Sequence, residues 1–359
     1  MADNNIMNID GSVLEGGGQI LRISISLSAI LKIPIRITNI RANRSKPGLA
    51  AQHLKGIQLV ADMCGAKLKG ANIGSTEIEF VPGKIKGGHY VADTQTAGSI
   101  SLLLQVALPV ALLADDDVTL DLKGGTNADM APQIDYMELV FRPLLNKFGG
   151  DFRMEILRRG YYPRGGAHVR VTVSPVRSLR AASLTHRGDP ATVHGYSFAA
   201  GTLPIKMAYE MADGAKQSLA GEKVDIRCVK EDRNMAPDNC AGIILHCSLS
   251  GGSTLGADAL CGRGARAYDA GAKAGAALRD VIASGAVVDT HAQDQLIVYM
   301  TLAAGRSALR VGEVTLHTKT AIYIVETITK IKIDVRPDGQ QNIIECTGLG
   351  YVNPNMADT

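Results

Sequence analysis

The residue in this chain best placed for chemistry is His317, in Leu316-His317-Thr318-Lys319-Thr320, between a predicted strand and a helix predicted to start near Thr318. An imidazole there can attack a phosphorus electrophile while the helix start steadies the phosphate oxygens. The positive end of a helix also lowers the imidazole pKa, which keeps the ring neutral and nucleophilic. Starting near ~6.5, against ~10.4 for lysine, imidazole needs far less tuning to attack at neutral pH. Taken alone, a histidine in this position is more often a cap or a core residue, so its partners decide.

Three stretches offer such partners. Glu15-Gly16-Gly17-Gly18-Gln19-Ile20-Leu21-Arg22 runs straight into a predicted helix. Its glycines allow close backbone approach, the free amides of a helix start favour an anion, and a carboxylate beside them can hold a divalent cation. It is not a P-loop, because G-x-x-x-x-G-K-[ST] occurs nowhere in the chain. Arg41-Ala42-Asn43-Arg44-Ser45-Lys46-Pro47-Gly48, with Gln52-His53 just beyond, brings three cations into one loop. Guanidinium forks suit phosphate oxygens, although a solvated loop reads the same way in isolation. Arginines also crowd the stretch from Arg142 to Arg187, either tracking a polyanion backbone or, the preferred reading, decorating the exposed face of two strands.

Other features narrow the class. His291, in His291-Ala292-Gln293-Asp294-Gln295, stands just before another predicted helix, whereas His89, His168, His186, His194 and His246 show no metal-like spacing and read as structural. Six cysteines include no C-x-x-C pair, so neither a zinc site nor a redox pair is expected and a reduced intracellular protein is the natural expectation. Aromatics make up 4% of residues and Trp is absent, which disfavours a surface built mainly from stacked rings. With a net charge of +3, any basic surface must be local. The opening Met1–Asn5 carries no basic stretch followed by an apolar core, so no secretory signal is expected, and no apolar run is long enough to span a bilayer.

At 359 residues, 46% of them hydrophobic, the chain can bury a large core in two or three units. Helical spacing of Ile20, Ile23, Leu27 and Ile30 predicts a helix over about Gly17–Leu31. A strand at Ile35–Ile40, a helix ending at Gly65, and strands Lys67–Lys69 and Glu77–Val81 follow. The order helix, strand, helix, strand, strand then recurs. Its second pass comprises Ala97–Leu113, kinked at Pro109, then Val118–Leu122, Gln133–Phe148, Phe152–Leu157 and His168–Val173. A third pass comprises Asp294–Ala304, Ala308–Val311, Thr318–Thr329, Lys330–Val335 and Asn342–Cys346. Three passes of similar length favour a triplicated unit. Between the second and third, roughly Gly188–Gly285 carries its own pattern: helices near Pro204–Ala220 and Arg263–Ser284, and strands Val224–Val229 and Gly242–Leu249. It reads as an inserted α/β domain. The expected division is residues 1–187, an insert at 188–285, and 286–359 completing the large domain.

Together these stretches resemble the RNA 3′-terminal phosphate cyclases. The resemblance runs from about Asn8 to Asn355 and is carried by LEGGGQILR at Leu14–Arg22, RANRSKPGLAAQH at Arg41–His53, RGYYPRGGAHV at Arg159–Val169, QDQ at Gln293–Gln295 and LHTKTAI at Leu316–Ile322. It implies an α/β (α+β) fold of three β-α-β-α-β-β units with an inserted thioredoxin-like domain. It also implies a ligase that uses ATP and a divalent metal, Mg2+ or Mn2+, on RNA ending in a 3′-phosphate. A histidine–AMP and an RNA-adenylate would lead to a 2′,3′-cyclic phosphate. Carried over position by position, His317 is the nucleophile and Glu15 the metal carboxylate. Gln19, Arg22, Arg41, Arg44, His53 and Gln105 line the phosphate site, and Pro132, Tyr136, Asp294 and Gln295 surround the adenosine. His291 stands where many relatives place an adenine-stacking tyrosine, and Ala167 replaces the last glycine of the usual P-x-G-G-G run. Eukaryotic members suggest a nuclear location. The nearest rival is a non-catalytic cyclase-like protein acting in ribosome assembly, which would lack a histidine at position 317. An enolpyruvyl transferase and a pure RNA-binding module are more distant.

Overall fold

The computed structural model describes residues 6–356, so the leader reading of Met1–Asn5 lies outside the described residues. The first unit runs β1 (Met7–Asp10), α1 (Gly18–Leu31), β2 (Ile35–Thr38), α2 (Ala51–Cys64), β3 (Lys67–Lys69) and β4 (Ile78–Val81). Its sheet has the order β1-β2-β4-β3, with β1 and β2 parallel and the other pairs antiparallel. The second unit repeats this with β5 (Gly88–Asp93), α3 (Ile100–Ala111) and β6 (Val118–Gly124). It continues through α4 (Ile134–Tyr136), a π-turn at Met137–Phe141, α5 (Arg142–Lys147), β7 (Arg153–Arg158) and β8 (Ala167–Val173), in the order β5-β6-β8-β7.

A third unit begins at β9 (Ser183–Leu184) and is interrupted at once by β10 (Pro190–Ala199), α6 (Lys206–Ser218), β11 (Val224–Lys230), β12 (Ala241–Leu249), β13 (Thr254–Leu260) and α7 (Ala267–Ser284). These form their own sheet, β11-β10-β12-β13, with only the β10–β11 pair parallel. The third unit then resumes with α8 (Ala292–Leu302), β14 (Arg306–Val311), α9 (Leu316–Thr329), β15 (Asp334–Asp338) and β16 (Gln341–Thr347). Its order, β9-β14-β16-β15, is that of the other two. The triplicated β-α-β-α-β-β unit is therefore present as expected, interrupted after its ninth strand.

Several boundaries differ from the sequence expectation. The first strand of each unit was missing from the pattern because β1 and β9 are only four and two residues long, and β5 exposes most of its residues. The single helix expected over Gln133–Phe148 is present as one continuous run over residues 134–147, widened to π geometry at Met137–Phe141 just before Pro143. The strand expected over Lys330–Val335 starts at Asp334, because α9 runs to Thr329 and Lys330 closes it in the left-handed region.

Helices α1, α2, α3, α8 and α9 pack on one another in the interior. Ile20, Leu27, Ile57, Leu104, Leu296 and Ile324, fully or almost fully buried, join their faces in one apolar core. At ~25 cal/mol per Å2 of apolar area, that shared core fixes the helices against one another far more firmly than any polar contact below. Among the described residues no helix is long and apolar enough to cross a membrane.

Candidate active site

The first turns of α1, α2, α3, α8 and α9 meet at one end of this helix layer. Gln19 in α1 bonds to Asp294 in α8 and to His317 in α9, and Gln52 in α2 accepts from the Ser99 amide at the start of α3. Each helix start carries roughly half a positive charge, so the convergence makes an anion site before any side chain is counted. The caps are unequal. Thr315 caps α9 by accepting from the Thr318 amide at 3.1 Å, and Ser99 caps α3. Gly17 before α1 supplies no side-chain acceptor, and Ala50 before α2 has no polar side chain to offer. The first-turn amides of these two helices therefore have no side-chain cap.

His317 is exposed, with Nδ1 2.9 Å from Gln19 Oε1. The other end of the Gln19 amide donates from Nε2 to Asp294 Oδ2 at 2.5 Å. Since the Gln19 oxygen faces the ring, Nδ1 must be the donor, and a neutral imidazole then carries its lone pair on Nε2. Asp294 thereby sets the His317 tautomer through an amide relay. Burial raises the Asp294 pKa to about 6, against the opposing pull of His317 and Arg22. Asp294, Gln19, Arg22, Gln105 and Gln295 line one cleft. Burial draws the Arg22 guanidinium down from its ordinary value, with Asp294 and Glu15 pulling the other way.

His53 is the second histidine of the site. Burial, reinforced by the charges of Arg22, Arg41 and Arg44, brings its pKa to about 3. It is therefore neutral at physiological pH, and its Nδ1 accepts from the Ala50 amide, so Nε2 carries the proton. That N–H sits so close to Gly18 that a Cβ there would collide with the ring. Glycine at this position lets His53 reach the start of α1. Arg41 lies in the same patch, one donor held by the Gly48 carbonyl at 2.8 Å.

Glu15 pairs through Oε1 with Arg44, while its Oε2 is buried without a partner. One carboxylate oxygen with no protein donor fits a divalent ion that takes most of its ligands from phosphate and water. No cluster of three or more His, Cys, Asp or Glu able to cage a metal occurs among the described residues.

The residues expected around adenosine divide. His291 is partly exposed, and Tyr136 meets it edge-on with centroids 5.5 Å apart. Tyr136 itself is fully buried, and its hydroxyl donates to Asp289 Oδ1 at 2.6 Å. It therefore supports the His291 ring from beneath, and presents no face of its own. Gln295 donates to the His291 carbonyl at 2.6 Å, and Pro132 is buried in the segment ahead of Tyr136. The extended backbone at Ala167, buried opposite Gly124 in the β6–β8 pair, accepts a Cβ without strain.

Two residues that hold this wall escaped the sequence reading. Asp289 accepts from the amides of His291, Ala292 and Gly256 and from Tyr136, and Asp258 accepts from the Gln133 amide at 2.9 Å. Asp289 was visible in principle as an acidic residue just before a helix. The role of Asp258 exists only in the tertiary structure.

Sequence comparisons place the chain that carries this five-helix site in a family. The family profile of RNA 3′-terminal phosphate cyclase matches residues 13–335. The chain belongs to this family. It is 40% identical over 358 residues to the RNA 3′-terminal phosphate cyclase of Drosophila melanogaster, covering 98% of this chain and 99% of that protein. It is 41% identical over 345 residues to the cyclase of Pyrobaculum neutrophilum, covering 96% and 99%. It is 37% identical over 347 residues to that of Methanopyrus kandleri, covering 95% and 98%. Family membership gives the arrangement of Gln19, Asp294 and His317 a chemical context that geometry alone leaves open.

Proposed function

We propose that this chain is a ligase that converts an RNA 3′-terminal phosphate to a 2′,3′-cyclic phosphate with ATP as co-substrate, through a covalent histidine–AMP on His317. The observation that carries the reading is the exposed His317 Nε2, left free by the Asp294–Gln19–Nδ1 relay at five converging helix starts. In the first step Nε2 attacks the α-phosphorus. A P–N bond forms, the bond to the bridging oxygen breaks, and pyrophosphate leaves with the electron pair. The proton stays on Nδ1, hydrogen-bonded to the Gln19 oxygen, and Asp294 balances the positive charge that grows on the ring. An oxygen of the RNA 3′-phosphate then attacks the same phosphorus, and the P–N electron pair returns to Nε2. Finally the 2′-oxygen attacks the terminal phosphorus, loses its proton and expels AMP. The vicinal hydroxyl is already positioned for this closure.

Arg22, Arg41, Arg44, the His53 N–H and Gln105 are the groups that bind the phosphates, while His291, Pro132 and Gln295 border the base. A divalent ion at Glu15 would neutralise phosphate charge. A nuclear location belongs to the same proposal, by resemblance to eukaryotic members, and imaging of the tagged protein tests it. Incubation with α-labelled ATP and Mg2+ tests the mechanism. The wild type should acquire acid-labile label and His317→Ala none, and an RNA 3′-phosphate should yield a cyclic end. Equal labelling of the two proteins rejects His317 as nucleophile.

A further inference from the structure

The motif RGYYPRGGAHV is only partly accounted for by the site above. Its first half is a tether. Arg159 is buried, bonding to both oxygens of Asp135 at 2.7 and 2.8 Å, and Tyr161 is buried and stacked on Phe198. Gly165 donates back to the Tyr161 carbonyl at 2.7 Å, which closes a tight hairpin. What that hairpin presents at its tip is Tyr162, 80% exposed, and Arg164, whose side chain is 82% exposed and 3.4 Å from Asp238. In a chain with five Phe, ten Tyr and no Trp, a rigidly anchored turn that holds an aromatic ring and a guanidinium out in water has no packing explanation.

The position of the hairpin matters as much as its composition. Gly165 lies so close to the Thr96 and Gly124 carbonyls that no side chain fits there. The 94–98 loop leads into α3, whose capping residue Ser99 donates its amide to Gln52 beside His53. On its other flank the Gly160 carbonyl accepts from the Thr126 amide at 2.9 Å, at the start of the segment that carries Pro132. The hairpin is therefore joined on one side to the loop that enters α3 and on the other to the segment that carries Pro132. Behind it, the outer face of the second sheet carries the cations Lys123 and Arg158, each a cross-strand neighbour of His168.

We infer that the Tyr162–Arg164 tip is the docking platform for the RNA strand that leads to the 3′-phosphate, with a base stacked on Tyr162 and a backbone phosphate on Arg164. This rests on the RNA-end reading above and names where the body of the substrate lies. The chemistry is that of sequence-tolerant single-strand binding: a ring for the π-face of any base and a cation for the phosphodiester. Arg158 and Lys123 extend the track along the sheet. The platform is a single ring, which reconciles strand binding with a composition too poor in aromatics for a stacked surface.

The test is fluorescence anisotropy of a labelled, 3′-phosphorylated RNA decamer and of a 3′-phosphorylated dinucleotide, without ATP. Tyr162→Ala should weaken decamer binding about tenfold, the size expected for loss of one stacked base, with little change for the dinucleotide. Tyr162→Phe should restore it. Arg164→Ala should weaken decamer binding and flatten its salt dependence by roughly one phosphate contact. Thermal melting confirms that each variant is folded. Unchanged decamer affinity in both alanine variants overturns the platform, as does an equal loss for dinucleotide and decamer. Because adenylation by ATP alone reports on His317 without RNA, failure of either reading is recognised separately.

Discussion

Asp121 and Asp294 both act alongside histidines, and their environments differ in kind. Asp121, on the outer face of the second sheet, is saturated. His89 and His168 reach it at 2.7 and 2.9 Å and Arg170 bonds to both of its oxygens. The Arg170 bonds, with help from the two rings, hold its carboxyl well below the usual carboxylate range. Asp294, at the converging helix starts, accepts a bond from a neutral amide, and burial raises it to about 6. A carboxylate surrounded by an arginine and two further hydrogen-bond partners is satisfied and has no charge to lend. One kept buried and under-compensated is poised to respond when positive charge appears nearby, which is what the His317 ring develops as it attacks.

The sharpest way to break this comparison is to cut the relay. Gln19→Ala removes the acceptor that keeps the proton on His317 Nδ1 and strands Asp294 without its partner. Loss of tautomer control costs rate heavily in related triad chemistry, and we expect adenylation to fall about 100-fold, with ATP binding changed far less. Single-turnover labelling at saturating ATP measures it. An adenylation rate within about threefold of wild type would mean that the relay does not orient the ring.

The pH dependence sharpens the comparison further. Adenylation should decline as pH drops through about 6, where Asp294 takes up its proton, and Asp294→Asn should lower the rate about tenfold while removing that limb. Stability moves in two directions. Because the folded protein holds the Asp294 proton more tightly than the unfolded chain, with its ordinary value of 3.8, this group adds stability as pH falls from about 6 towards 4. His53, depressed from 6.5 to about 3, does the reverse: its contribution is present above 6.5 and is lost as pH falls towards 3. An acid limb in rate that survives Asp294→Asn would transfer the titration to another group.

The same pair shows what was readable in advance. His317, Glu15 and the Arg41–Arg44 loop stood out because each lies beside a helix start or a Gly-rich turn, a local signal. Helices α2 and α9 were legible because each buries one face at helical spacing, and α1, buried on nearly every side, because Ile20, Ile23, Leu27 and Ile30 still recur at that spacing. Of the five histidines read as structural, His89 and His168 meet around Asp121. What stayed hidden is non-local. Strand β9 is two residues long and gains its meaning only from pairing with β14, more than a hundred residues away. Nothing near Asp258 in sequence says that it braces Gln133. Gln19 was marked for phosphate, but its role as a relay needs α8 and α9 packed against α1.

The smallest expected effect falls on the saturated partner. Asp121→Asn keeps the shape and removes the charge that His89, His168 and Arg170 share. Those partners are partly exposed, with side chains 55%, 29% and 43% accessible, so water recovers much of what is lost. The cost should be about 1–2 kcal/mol, near the upper end for exposed pairs because three groups converge on one carboxylate. Adenylation should stay within about twofold of wild type. The sign with pH is fixed by the lowered carboxyl: its stabilisation is complete well above 3.8 and disappears as acid protonates it. The melting-temperature gap between wild type and Asp121→Asn should therefore be widest near neutral pH and should shrink below pH 4. A gap that grows in acid, or an adenylation defect as deep as that of Asp294→Asn, would show that the two carboxylates are not the opposites their surroundings indicate.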